Sequence, residues 1–535
     1  MRKPSYSTFF PEGSNKQTIA GLQKLVRQCT TTYTRTQSKF LYPSLKIPET
    51  ACTLLAEILI DFALDIHSGS GIWTALEKCN TELFGTPLPL IHNGKIELPP
   101  GICVERVQFL LWNLYEQFEE CNAHVAPHHP DLLLASQQVT KFLTEHLTSL
   151  PNVSPIKSFL DKPNDYGWEI KKKLIWLGMN SYLFRLHFGE YMDKNYDGGE
   201  SIPVIDDFIC QNTTSWSGLG VIDILAACLD IPDGQREELR SWYIRHVAIY
   251  KIVKVDKEVT EAVNLINNAS YRIREGASSN PRKNHTCPNM ILYGSLTPWR
   301  GEWYWSGTLR DLTQFPADAI ADTIKRFTQQ TRFVARYCKE REETVLQRGR
   351  ELYQQALKFY DNDLNEFSSG KAFQRAEMKW LMAHAKELGH GGHMPDMRLP
   401  KKFLANNNGI GMFIDPVEGT EMMESFNDVK SGLKKNGKGC TEDEADIIRG
   451  FIYSQSICPA FVYRVLKEYG GEDTVKSVFC LKTDEPYWLD YLLRCHKGEF
   501  YRRRIPSIDI VDTKADQANK NVVLARQEQC RQHQK

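Results

Sequence analysis

Rings and charges crowd most densely between Cys287 and Gly307, CPNMILYGSLTPWRGEWYWSG, where Trp299, Trp303 and Trp305 are interleaved with Arg300, Glu302 and Tyr304. Aromatic side chains with a cation among them can stack a base or hold an extended peptide. Arg272 and Arg274, in the nearby run ASYRIR, would supply further cations. Strand alternation divides the set. Trp303 and Trp305 fall on one face and are expected in a core, whereas Glu302 and Tyr304 fall on the other. Trp299 and Arg300, beside Pro298 at a turn, are the pair expected at the surface. The candidate binding set is therefore Trp299, Arg300, Glu302, Tyr304, Arg272 and Arg274. Barrel core and a substrate-stacking enzyme pocket are the alternatives for the same rings.

Metal chemistry has one candidate, His384, His390, His393 and Asp396 in HAKELGHGGHMPD. Imidazoles and a carboxylate on one loop could hold a divalent ion. The spacing is not His-Glu-x-x-His and no cysteine lies near, so a glycine-rich hinge explains the loop equally. His124, His128 and His129 are broken up by Pro127 and Pro130 and read as an inter-helix loop. Asp206, Asp207 and Asp223 could meet Glu302 as a metal or acid–base site, although nothing in their spacing requires it. Ser217-Gly218 only echoes a nucleophile elbow, Gly218-Leu-Gly220 lacks the third glycine of a dinucleotide fingerprint, and there is no phosphate-binding Gly-Lys loop. No cofactor is predicted beyond that candidate divalent metal.

The elements that must position these residues are mostly helical. From Pro48 to His246, apolar residues recur every three to four positions in runs such as TACTLLAEILIDFALDIHS and VERVQFLLWNLYEQFEECNAHV, joined by short linkers. One helix is expected over Tyr166–Phe188 and another over Pro203–Asn212. After His246 the period changes to two. HVAIYKIVKVD, TEAVNLIN, ASYRIR, PNMILYGSL and RGEWYWSG then read as five short strands, enough for a small SH3-like or OB-like barrel. One or two long charged helices follow Pro316, then the Gly/His loop. The strand NNNGIGMFIDP comes next, with three helices over EGTEMMESFNDVKSGLKK, TEDEADIIRGFIYS and CPAFVYRVLKEYG.

A chain of 535 residues needs more than one core, and its formal net charge of zero creates no global pull toward nucleic acid or anionic membrane. Fourteen cysteines without regular spacing, several inside apolar helical patterns, suit a reducing compartment. No apolar run reaches the length of a membrane span, and the first residues lack the apolar core of a signal peptide. A cytoplasmic protein without membrane contact is expected.

The stretches FALDIHSGSGIW, LEKCNTELFGTPLPL, DDFICQNTTSWSGLGVIDILA, LYGSLTPWRGEWYWSG and GIGMFIDPVEGTEMMESFNDVKSGLKK resemble a family of uncharacterised bacterial proteins, a Bacteroidetes-type domain of unknown function. The resemblance runs from about residue 48 to 470. It implies no activity and assigns no catalytic residue.

The expected fold class is α+β and predominantly α-helical, divided as a basic N-terminal arm over 1–46, a multi-helix domain over 47–246, an inserted five-stranded barrel over 247–310, a helical segment over 311–404, a small α-rich C-terminal unit over 405–500 and a polar tail over 501–535. The expected role is a binding or interaction protein that recognises a protein, peptide or nucleic acid where the barrel meets the helices. A metal-dependent hydrolase is the alternative. Oligomeric state is not legible in the chain.

Overall fold

The computed structural model describes residues 16–92, 94, 97–117, 125–150, 155–274, 286–330, 339–387, 397–435 and 439–502. It is α+β and mainly helical, and its described residues divide into two compact units, one spanning 16–330 and the other 339–502.

Among the described residues the first unit begins with eleven α-helices: α1 Lys16–Gln37, α2 Glu49–Ser68, α3 Ile72–Phe84, α4 Val104–Tyr115, α5 Pro130–His146, α6 Pro155–Leu160, α7 Gly167–Asn180, α8 Arg185–Asn195, α9 Ser201–Gln211, α10 Val221–Cys228 and α11 Asp233–Arg240. Helix α2 is apolar nearly all round and is buried over most of its length, as a central core helix must be. It stops at Gly69, whose φ of 61° is the left-handed geometry that glycine adopts without a Cβ penalty. The buried Asp65 carboxylate then accepts from the Ile72 N–H at 3.1 Å, the Trp73 N–H at 2.7 Å and the Tyr182 hydroxyl at 2.7 Å. It thereby satisfies two donors that the start of α3 would otherwise leave orphaned. The helix expected over Tyr166–Phe188 is broken. It ends at Asn180, Ser181 takes an extended conformation, and α8 begins at Arg185.

Strands β1 His246–Val255, β2 Val259–Asn264, β3 Ser270–Arg274, β4 Ile291–Trp299 and β5 Glu302–Asp311 follow in the same unit. The long β1 pairs antiparallel with both β2 and β4, β2 with β3, and β4 with β5. The circuit closes in the order β1-β2-β3-β5-β4 through one parallel pairing, Ile273 with Trp303. Ala248, Ile249, Tyr250, Ile252, Ala262, Tyr271, Ile273 and Leu296 belong to the core, with Trp303 and Trp305 packed against it; β1 is buried on both faces over its first half, whereas β2 and β3 alternate. Helix α12 (Ala317–Gln330) adds Ile320 and Ile324 to that core.

The second unit contains α13 Lys339–Tyr360, β6 Leu364–Phe367, α14 Gly370–Glu387, α15 Lys401–Leu404, β7 Ile410–Asp415, β8 Gly419–Glu424, α16 Phe426–Leu433, α17 Glu442–Tyr453, α18 Pro459–Tyr469, α19 Glu472–Val478 and α20 Trp488–Lys497. Its sheet has the order β6-β7-β8, all antiparallel. The stretch EGTEMME, expected to begin a helix, is instead strand β8, and its alternating burial is the two-residue period of a half-buried strand. Thr441 caps α17 as its S/T-x-x-E pattern predicts: its hydroxyl accepts from the Glu444 N–H at 3.3 Å, and the Glu444 carboxylate accepts from the Thr441 N–H at 2.9 Å.

Candidate functional site at the helix–barrel junction

Helix α7 lies against the outer face of β5. Its first turn is ordered by Glu169, which accepts from the Tyr166 N–H at 3.0 Å. Gly167 then passes so close to the Tyr304 ring that a Cβ there would stand 2.7 Å from the ring carbons. Only glycine permits this approach. The Tyr166 and Trp168 rings stack at 4.4 Å with an 11° interplanar angle, and Trp168 meets Tyr304 edge-on at 5.5 Å. The Arg274 guanidinium sits 5.8 Å from the Tyr166 ring centre and pairs with Glu302 at 3.0 Å and Glu258 at 3.5 Å. Burial, reinforced by the Glu302 carboxylate, pushes the Tyr304 hydroxyl up to about 12, so it stays protonated.

Beneath the rings lies a charged floor. Lys171 donates to Asp206 at 2.7 Å and to the Ser306 hydroxyl at 2.7 Å, and Ser306 in turn donates to Asp206 at 3.3 Å. The buried Arg245 pairs with Asp206 at 3.2 Å and also with Asp207. Its desolvation lowers its pKa while Asp206 opposes that shift. The chain reaches this carboxylate at Gly307, whose φ is 82° and where a Cβ would collide with Asp206. Between floor and rings is a cleft of about 150 Å³, walled by Trp168, Lys171 and Lys172 of α7 and by Thr297, Tyr304 and Ser306 of the barrel, with Gly167 and Trp305 completing it.

The structure corrects the expected surface pair. Trp299 is fully buried, its indole N–H donates to the Asn164 carbonyl at 2.7 Å, and its ring stands edge-on to Trp242 at 6.4 Å. The turn is docked because Arg300 and Gly301, both with positive φ as a tight hairpin requires, point their N–H groups at the Glu238 carboxylate, at 2.6 and 3.2 Å. Arg300 is exposed, and its guanidinium pairs with Asp165 at 2.6 Å. The loop that receives Trp299 is itself held by Lys173, which donates to the Lys162 carbonyl at 2.6 Å and to the Asn164 side chain. Burial pulls the Lys173 ammonium down to about 8.

Of the other candidates, Glu302 and Tyr304 stand at the junction and Arg274 joins them, while Arg272 is exposed on β3 opposite Glu261. Among the suspected carboxylates only Asp206 enters the cleft floor. Asp223 instead accepts from the Gly220 N–H at 2.7 Å as the cap of α10, and Glu302 is engaged by Arg274. His384 stacks on Trp380 within α14 at 5.2 Å, whereas His390, His393 and Asp396 lie outside the described residues. Among the described residues no three His, Cys, Asp or Glu side chains come together as a metal group. Tyr166, Gly167, Trp168, Lys171 and Lys172 were missed by sequence reasoning. The signal was present in YGWEIKKK, a ring–glycine–ring opening of a helix followed by lysines.

Residues 48–215 match a family described as a protein of unknown function (DUF3843). That match agrees with the resemblance drawn from the sequence motifs over this segment. The segment carries the helical half of the cleft, Tyr166 to Lys172 with Asp206, and the barrel half lies beyond it. No curated protein and no solved structure matches the chain. Among the described residues no helix is long and apolar enough to cross a membrane.

Proposed function

We propose that the protein is a binding protein whose site is the cleft between α7 and β4–β5, and that its ligand is a protein or peptide segment. The observation that carries this reading is the convergence of Trp168, Tyr304 and Lys172, from a helix and a strand far apart in the chain, around one cleft. Supporting residues brace it from below: Lys171 and Arg245, both buried or nearly so, each pair with the buried Asp206. Such a braced site keeps its shape before a ligand arrives, which lowers the cost of ordering on binding.

We read the barrel as OB-like rather than SH3-like, because its strand order places β3 parallel to β5. OB barrels that bind single strands use their β2–β3 face and carry rings there. Here the outward residues of that face, Val259, Glu261, Val263, Ser270, Arg272 and Arg274, include no ring, and Tyr271 points into the core. Arg274, Arg300 and Lys171 each have a carboxylate partner, which removes much of their pull on phosphates. Balanced charge around an aromatic cleft favours a peptide over nucleic acid. Buried free thiols at Cys29, Cys52, Cys79, Cys103 and Cys210 support a reducing, cytoplasmic setting.

An array of immobilised peptides probed with the full-length protein tests the reading. Peptides retained by the wild type should be lost with Trp168→Ala and weakened with Lys172→Glu. Salt-sensitive binding of labelled single-stranded RNA, with no peptide retained, would overturn it.

A further inference from the structure

We infer that the cleft recognises the C-terminal aromatic residue of a peptide, its ring entering the cleft and its carboxylate reaching Lys172. The inference rests on the peptide-binding reading above and adds the chemistry of the group that enters. A space of about 150 Å³ is well below the roughly 300–1,000 Å³ that encloses a whole drug-sized ligand. It admits one side chain.

The walls decide which. Trp168 and Tyr304 present ring faces and edges, and a flat ring packs against these with offset or edge-on geometry better than an aliphatic chain does. The cations decide the charge. Lys171 spends its N–H groups on Asp206 and Ser306, with Cys210 Sγ also in reach at 3.9 Å, so it acts as floor. Lys172 is exposed at the rim and supplies the ammonium that a carboxylate can meet. An aromatic ring next to a free carboxylate meets these conditions. An internal aromatic residue, flanked by neutral amides, lacks the charge.

Saturation-transfer NMR with N-acetyl-L-phenylalanine and with its C-terminal amide separates this inference from the reading it rests on. The acid should bind about fivefold more tightly than the amide, as one partly exposed ion pair allows. Lys172→Glu, a change at an exposed position, should abolish that preference, while Trp168→Phe and Trp168→Ala should weaken both probes. Equal binding of acid and amide, or a preference that survives Lys172→Glu, would overturn carboxylate recognition while leaving the cleft a peptide site. Failure of both probes to bind, or binding indifferent to Trp168, would overturn the cleft reading as well.

Discussion

Replacing Asp206 by asparagine should destabilise the folded protein by about 3 kcal/mol, the lower end of the range for removing one partner of a buried ion pair. The structure sets where in that range the effect falls. Asp206 is only 2% exposed and faces two cations, Lys171 at 2.7 Å and Arg245 at 3.2 Å. Without its charge, Arg245 keeps Asp207, whereas Lys171 keeps only the neutral Ser306 hydroxyl and Cys210. One cation is stranded, not two. Lys171→Met in the same background removes that stranded charge and returns the cluster to electrical balance, so the double variant should recover roughly 2 kcal/mol of the loss. Urea unfolding of the wild type, both single variants and the double variant gives the cycle. A cost below about 1 kcal/mol for Asp206→Asn, or a double variant as unstable as the two single losses added together, would refute the argument that this floor is a coupled ionic unit.

Gly167→Ala places a methyl group against the Tyr304 ring and should lower stability by about 1–3 kcal/mol in thermal melts, with loss of cleft binding. An unchanged melting temperature would show that helix and barrel are less closely packed than this. Trp299→Ala should cost about 3–5 kcal/mol because a fully buried ring is removed, and a cost under 1 kcal/mol would return Trp299 to the surface. The histidine share of stability should fall on acidification. Burial lowers His246 to about 3 and His187 to about 4 in the folded state, whereas the unfolded imidazoles take a proton near 6.5. Below that value the unfolded imidazoles bind more protons, so their share is complete at neutral pH and declines as pH falls from 6.5 toward 4. Asp61, raised by burial to about 6, acts in the opposite sense, as do Asp65, Glu57, Glu377 and Glu421, also raised by burial. The histidine share is therefore read as a difference: from pH 7 to 4.5 the urea midpoint of the wild type should fall relative to that of His246→Gln, and parallel profiles would contradict the assignment.

The strand alternation of RGEWYWSG was enough to divide its residues correctly, because a period of two ties each side chain to a face: Trp303 and Trp305 line the core, and Tyr304 looks outward. The fate of Trp299 was not legible, since a residue at a turn has no face until something docks on the turn. Here Glu238 and Asn164, more than 60 and 130 positions earlier in the chain, do so. The cleft was hidden for the same reason. Trp168 and Lys172 follow an ordinary helical pattern, and their meeting with Tyr304 depends on a contact that Gly167 allows. Strand β8 escaped because GTEMME is made of residues without strong strand preference, and its pairing with β7 overrides their local tendency.

The most direct test of the central claim is fluorine NMR on full-length protein labelled with 5-fluorotryptophan, titrated with a peptide retained on the array. With resonances assigned by single Trp→Phe changes, the signal of Trp168 should move, while those of Trp73 and Trp216, in the helical core away from the cleft, stay fixed. Movement confined to those distant rings, with Trp168 unchanged at saturation, would contradict the assignment of the helix–barrel cleft as the binding site.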